Sequence, residues 1–165
     1  MANSPRLNVL IALTQVLETV TVANGFSFDL ADLVFRGRNF FGENDPETML
    51  SILEAPRPDV GLTAGENKGF RLEGWNLLLQ GWCPDDQENP TDPAHEMMFD
   101  VEQCLNRIKA VDKKGDPVYP EHHMLGGLIT SIDFGPGVVR PPTEGVSSKA
   151  FFYLPVRIGL VTRNG

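Results

Sequence analysis

The residues best suited to chemistry are Glu121-His122-His123, the acidic run Asp85-Asp86-Gln87-Glu88, and two cysteines, Cys83 and Cys104. Adjacent side chains in an extended chain point to opposite sides, so His122 and His123 alone make a poor metal site. Catalytic zinc usually takes three protein ligands, and His95 is the one further histidine. The cluster therefore reads as a solvated loop. The acidic run lacks the alternating ligands and central glycine of a calcium loop. Nothing in it fixes the separation of two carboxylates or shifts either pKa, as glycoside hydrolysis would require. The cysteines form no C-x-x-C pair, which removes a zinc ribbon and a thioredoxin-type site. Cys104 falls on the apolar face of a helix, where a thiol is inert. There is no G-x-S-x-G elbow, and Gly61-Leu62-Thr63-Ala64-Gly65 lacks the Lys-Ser/Thr ending of a phosphate loop. No catalytic, metal-binding or cofactor-binding residue is assigned, and the expectation is a protein that is not an enzyme and needs no cofactor.

Assembly fits better. Arg36-Gly37-Arg38-Asn39-Phe40-Phe41-Gly42 sets two arginines beside two phenylalanines in a glycine-bounded stretch. Arginine and aromatic residues are enriched at interfaces, so this stretch suits an arm protruding near residues 36–46. The competing reading is a hairpin whose phenylalanines enter the core. Two long loops, 112–127 and 135–149, are the second feature, since loops of that length are often functional. Simple surface disorder is the alternative. The candidate oligomer or partner interface is Arg36, Arg38, Phe40, Phe41, Arg140, Pro155 and Arg157, chosen as Arg/Phe and edge-strand positions.

The elements that position these residues follow from periodicity. Ser4 suits an N-cap with Pro5 at the first helical position. Leu7, Leu10, Ile11, Leu13, Leu17 and Val20 then give one apolar helical face, with Asn24-Gly25 as the stop. Short strands are expected over Asp32–Arg36 and Thr48–Glu54, and a longer one over Phe70–Trp82. In the latter the apolar parity changes from Phe70 and Leu72 to Trp75, Leu77 and Leu79. A β-bulge or a turn at Gly74 would produce that change. A second helix starts with Asp92 as N-cap and Pro93 behind it. It carries Met97, Val101, Cys104, Leu105 and Ile108 on one face, with Lys113, Lys114 and Gly115 marking its end. Alternation from Leu128 to Phe134 and from Phe151 to Arg163 gives two more strands. Pro155 cannot donate to a ladder, so its strand is at an edge there or carries a bulge.

The chain has 165 residues, 41% apolar and 22% charged, which fits one globular domain spanning 1–165. With 16 glycines and 13 prolines it is no helical bundle. The order helix, strands, helix, strands predicts an α+β fold. Its sheet is mixed but mostly antiparallel, with both helices packed on one face and long loops. The other sheet face must then be solvated or covered by a partner. A net charge of −8 argues against a dedicated nucleic-acid binder. No run of about 18 apolar residues is present and the N-terminus does not read as a signal peptide. A soluble protein made in the cytoplasm, with no membrane partner, is expected.

Taken together, the order and spacing resemble the tail terminator proteins of long-tailed bacteriophages and related tail-completion or collar proteins. The resemblance rests on four stretches that span nearly the whole chain. They are Leu7-x-x-Leu10-Ile11-x-Leu13 in the first helix, Trp75-Asn76-Leu77-Leu78-Leu79-Gln80-Gly81-Trp82, the acidic loop leading into the helix from Pro93 to Ile108, and Phe152-Tyr153-Leu154-Pro155-Val156-Arg157-Ile158. The connection from 112 to 149 is longer than in the shortest family members. The resemblance implies a structural virion protein, forming a homo-oligomeric ring, usually a hexamer. Such a ring caps the tail tube protein, stops tube polymerisation and joins the tail to the head-tail connector protein. Viral DNA would pass through its lumen without specific binding, and an acidic lumen would let phosphates slide. The competing class is a small acidic binding, adaptor or assembly-chaperone module acting as monomer or dimer.

Overall fold

The computed structural model describes residues 4–38, 44–54, 70–143 and 148–163. It is an α+β fold with a mixed, mostly antiparallel six-stranded sheet. The strands are β1 (Val34–Arg36), β2 (Met49–Glu54), β3 (Phe70–Cys83), β4 (Ser131–Phe134), β5 (Val138–Arg140) and β6 (Ala150–Arg163). They lie in the order β1-β2-β3-β6-β4, and β5 continues the β4 edge by pairing with the first part of β6. β1 and β2 run parallel, and every other pair is antiparallel.

Helix α1 (Pro5–Leu17) starts where its sequence demands. Ser4 Oγ accepts from Leu7 N–H at 3.1 Å, with Pro5 as first helical residue. It ends a turn earlier than its apolar spacing suggests, because the β-branched run Thr19–Val22 follows. A short 3-10 turn over Val22–Asn24 closes instead on Gly25, whose φ is +91°. The buried face of α1 is also rotated. Val9, Leu13, Val16 and Leu17 are buried, whereas Leu7 is exposed.

Helix α2 (Asp92–Lys109) has Thr91 at its N-cap position, one residue before the expected Asp92. Ala94, Met97, Val101, Cys104, Leu105 and Ile108 bury its apolar stripe. The helix stops before Lys113, because Ala110 turns to extended backbone and Val111 forms a bridge with Pro117. Gly115, at φ +86°, belongs to the turn beyond. Asp112 closes that turn by accepting from the N–H groups of Lys114 and Asp116 at 2.8 and 3.0 Å. The 112–127 connection thus carries a closed turn, and it ends in a single left-handed turn over Met124–Gly127.

Both long helices lie on one sheet face over a single core. Leu50, Ile52, Trp75, Leu77, Leu79, Phe152, Leu154, Val156 and Ile158 supply the sheet side of that core. β3 and β6 pair one for one from Phe70↔Arg163 to Cys83↔Ala150. That continuous register overturns both expectations for Gly74, the bulge and the turn. Gly74 opposes Gly159, and the Arg157 guanidinium lies where a Cβ on Gly74 would stand. Pro155 costs no ladder bond. Its carbonyl accepts from Gly135 N–H at 3.0 Å, so its donor-less nitrogen faces the same side, where the chain passes from β4 to β5. The strand expected from Leu128 is shorter, starting at Ser131, and β5 was not foreseen within 135–149.

Candidate interaction face

Strand alternation assigns the second sheet face. Phe35, Met49, Ser51, Leu53, Asn76, Leu78, Gln80, Trp82, Phe151, Tyr153, Pro155 and Arg157 all point away from the helices by register. Reading across the strands gives rows. Met49, Trp82 and Phe151 form a small buried cluster, with Phe35 and Tyr153 packed against it. The Phe151 and Tyr153 rings meet edge to face at 5.6 Å. The next row is polar. Gln80 Nε2 donates to the Tyr153 hydroxyl at 3.1 Å, and Ser51 Oγ accepts from Arg38 N–H at 3.1 Å. Then comes an apolar row, Leu53-Leu78-Pro155, in which the leucines are half-buried and Pro155 is exposed. Beyond it stand exposed Asn76, Arg157 and Asp133. Among the described residues no helix covers this open half.

The expected interface residues divide. Pro155 and Arg157 sit on the open half, and Arg140 is exposed at the far end of the same face, on β5 opposite Phe151. Arg38 stacks over the Phe35 ring at 5.0 Å and pairs with the Asp45 carboxylate. Arg36 does not join them. It points to the helix side, where its Nη1 donates to Thr14 Oγ1 of α1 at 2.9 Å. Phe40 and Phe41, with the tip of the expected arm, lie outside the described residues.

The residues first searched for chemistry are dispersed. Among the described residues no three of His, Cys, Asp and Glu come together as metal ligands. His122 and Glu121 line a cleft of ≈ 140 Å³ against Ala12, Gln15 and Val16 of α1, and His95 is exposed on α2. Burial pushes both thiols up to about 11, with Asp85 adding to the shift at Cys83. Cys104 Sγ donates to the Val16 carbonyl at 3.4 Å. In the acidic loop, Asp86 accepts from Asn89 and Glu88 N–H at 3.0 and 2.8 Å, which holds its carboxyl below the usual range and orders the turn.

Two features escaped the sequence reading. Leu53 and Leu78 belong to the second face, and the even-numbered positions of β3 carry that signal. Phe99 is 56% exposed on α2, and its place between Met97 and Val101 already puts it off the buried stripe.

No family model matches the chain, and no curated protein matches it. Among solved structures it is similar to the sheath/tube terminator of an extracellular contractile injection system, PVC, determined by cryo-EM in the extended state. The identity is 15% and the TM-score 0.48, over 100% of this chain and 59% of that chain.

Proposed function

We propose that this protein is a structural subunit that joins copies of itself head to tail into a closed ring, and that the ring caps a phage tail tube. In this reading it is not an enzyme. It ends tube polymerisation, meets the head connector on its other side and resides in the virion tail. The observation that carries the reading is the half-open second sheet face, where Leu53, Leu78 and Pro155 stand in a row that no helix covers among the described residues. An apolar row rimmed by Asn76, Arg157 and Asp133 has the anatomy of a contact surface, apolar at the centre and polar at the edge. A contact that uses different surfaces on the two partners closes into a ring when its rotation divides a full turn. Six copies is the stoichiometry proposed. The formal charge of −8 per chain suits a lumen through which DNA slides without being held.

Native mass spectrometry across a wide concentration range tests this. A discrete closed oligomer, with a hexamer expected, supports the ring. A protein that stays monomeric or dimeric throughout supports an adaptor or assembly-chaperone module instead.

A further inference from the structure

We infer that the open sheet face of one copy is occupied by the solvent face of α2 from the next copy, with Phe99 on the Leu53-Leu78-Pro155 row and Glu96 and Asp92 against Arg157. The inference rests on the ring reading and names its contact.

Charge separation on this chain is the argument. From Pro84 to Asn106 there is no Lys or Arg, while Asp85, Asp86, Glu88, Asp92 and Glu96 are all exposed. The solvent face of α2 carries Asp92, His95, Glu96, Phe99, Gln103 and Asn106, all exposed at helical spacing, and the exposed cation Lys109 lies at its C-terminal end. It presents an aromatic ring with carboxylates toward the helix N-terminus. The open sheet face has the opposite sign. Arg157 and Arg140 are exposed there, and the exposed Asp133 is paired with Lys109 Nζ at 3.1 Å.

The spacings also agree. Glu96 and Asp92 lie one and two turns from Phe99, about 4.5 and 10 Å along the axis. Arg157 lies two residues from Pro155, about 7 Å along the strand. A Phe99 ring seated on Leu78 and Pro155 therefore brings a carboxylate within reach of Arg157. α2 packs on one side of the sheet and the open row faces the other. The contact is thus head to tail, as a ring requires, and not a two-fold pairing.

Charge reversal tests it in the full chain, read by sedimentation velocity. Glu96→Arg and Arg157→Glu should each weaken assembly at least tenfold when alone. An equimolar mixture should assemble again, because each variant then offers its neighbour a matched pair. Phe99→Ser should also weaken assembly at least tenfold, with an unchanged circular dichroism spectrum. Assembly that all three variants leave intact overturns this contact while the ring stands. Single variants that fail to assemble, with no recovery in the mixture, also overturn it. A wild-type protein that is monomeric at every concentration overturns the ring and the contact together.

Discussion

Asp100 shows how one residue ties a segment to the fold. It lies on the buried side of α2 at 5% exposure, and its Oδ2 accepts from Ser27 and Phe28 N–H at 2.9 and 3.0 Å. Asp100→Ala would leave two backbone donors without their acceptor, at a cost of about 1–3 kcal/mol in a urea titration. Asp100→Asn keeps an oxygen there and should cost less. Burial pushes the Asp100 carboxyl above its ordinary value of 3.8, against the lowering by its two hydrogen bonds, and Glu96 adds to the rise. Burial raises Glu102 as well. Between the ordinary and the raised pKa the folded state binds more protons than the unfolded chain. Stability from these groups is therefore greatest below the ordinary pKa, falls as pH rises through that window, and is level above it. Asp100→Asn removes its share, so the urea midpoint of the variant should gain on that of the wild type as pH rises from 3.8. The cysteines give a second test. With both thiols pushed up to about 11 by burial, neither should react with a disulfide reagent at neutral pH until urea unfolds the chain.

The elements were legible in the sequence wherever one local rule decided them. Ser4-Pro5 marked the start of α1, the stripe from Met97 to Ile108 marked α2, and alternation marked β3 and β6. Elements set by tertiary pairing were not legible. β5 is three residues paired with β6, and α2 ends where Val111 bridges to Pro117, across a turn closed by Asp112. The parity change at Gly74 misled because periodicity alone treats a shifted apolar residue as a shifted backbone. Part of the candidate face was legible for the same reason. Pro155 and Arg157 could be placed by alternation along β6, whereas the turn of Arg36 toward Thr14 depends on where α1 crosses β1. Close approach of elements explains Gly81. A Cβ there would stand inside the Phe152 ring on the paired strand. Gly81→Ala should therefore lose about 1–3 kcal/mol by overpacking, seen as a lower thermal midpoint. Met124 is the converse case. It holds φ +50° at the head of a left-handed stretch that runs through Leu125, Gly126 and Gly127. Met124→Gly relieves a backbone cost of about 1–2 kcal/mol but adds unfolded-state freedom and removes a side chain that packs against the core, so a thermal midpoint within a few degrees of the wild type is expected.

At the scale of the molecule, the proposed ring assigns stability to one sheet face and assembly to the other. Leu78 and Leu79 are neighbours in sequence on opposite faces. Leu79 is fully buried beneath the helices, between Ile52 and Leu154. Leu78 is half-buried on the open face, between Leu53 and Pro155. A lysine at 79 would have to bury its ammonium group or disrupt the core, and Leu79→Lys should unfold the protein. A lysine at 78 can carry its ammonium group to solvent along its aliphatic stem, so Leu78→Lys should change stability by less than about 1 kcal/mol. In a ring built through this face, the same substitution places a cation in the dry centre of every contact, and assembly should be lost. The measurement is a pair of urea titrations beside a sedimentation profile. A folded, monomeric Leu78→Lys variant next to an unfolded Leu79→Lys variant is the expected result. A folded Leu78→Lys variant that still assembles like the wild type would take the contact off this face, and the proposed ring would need another surface.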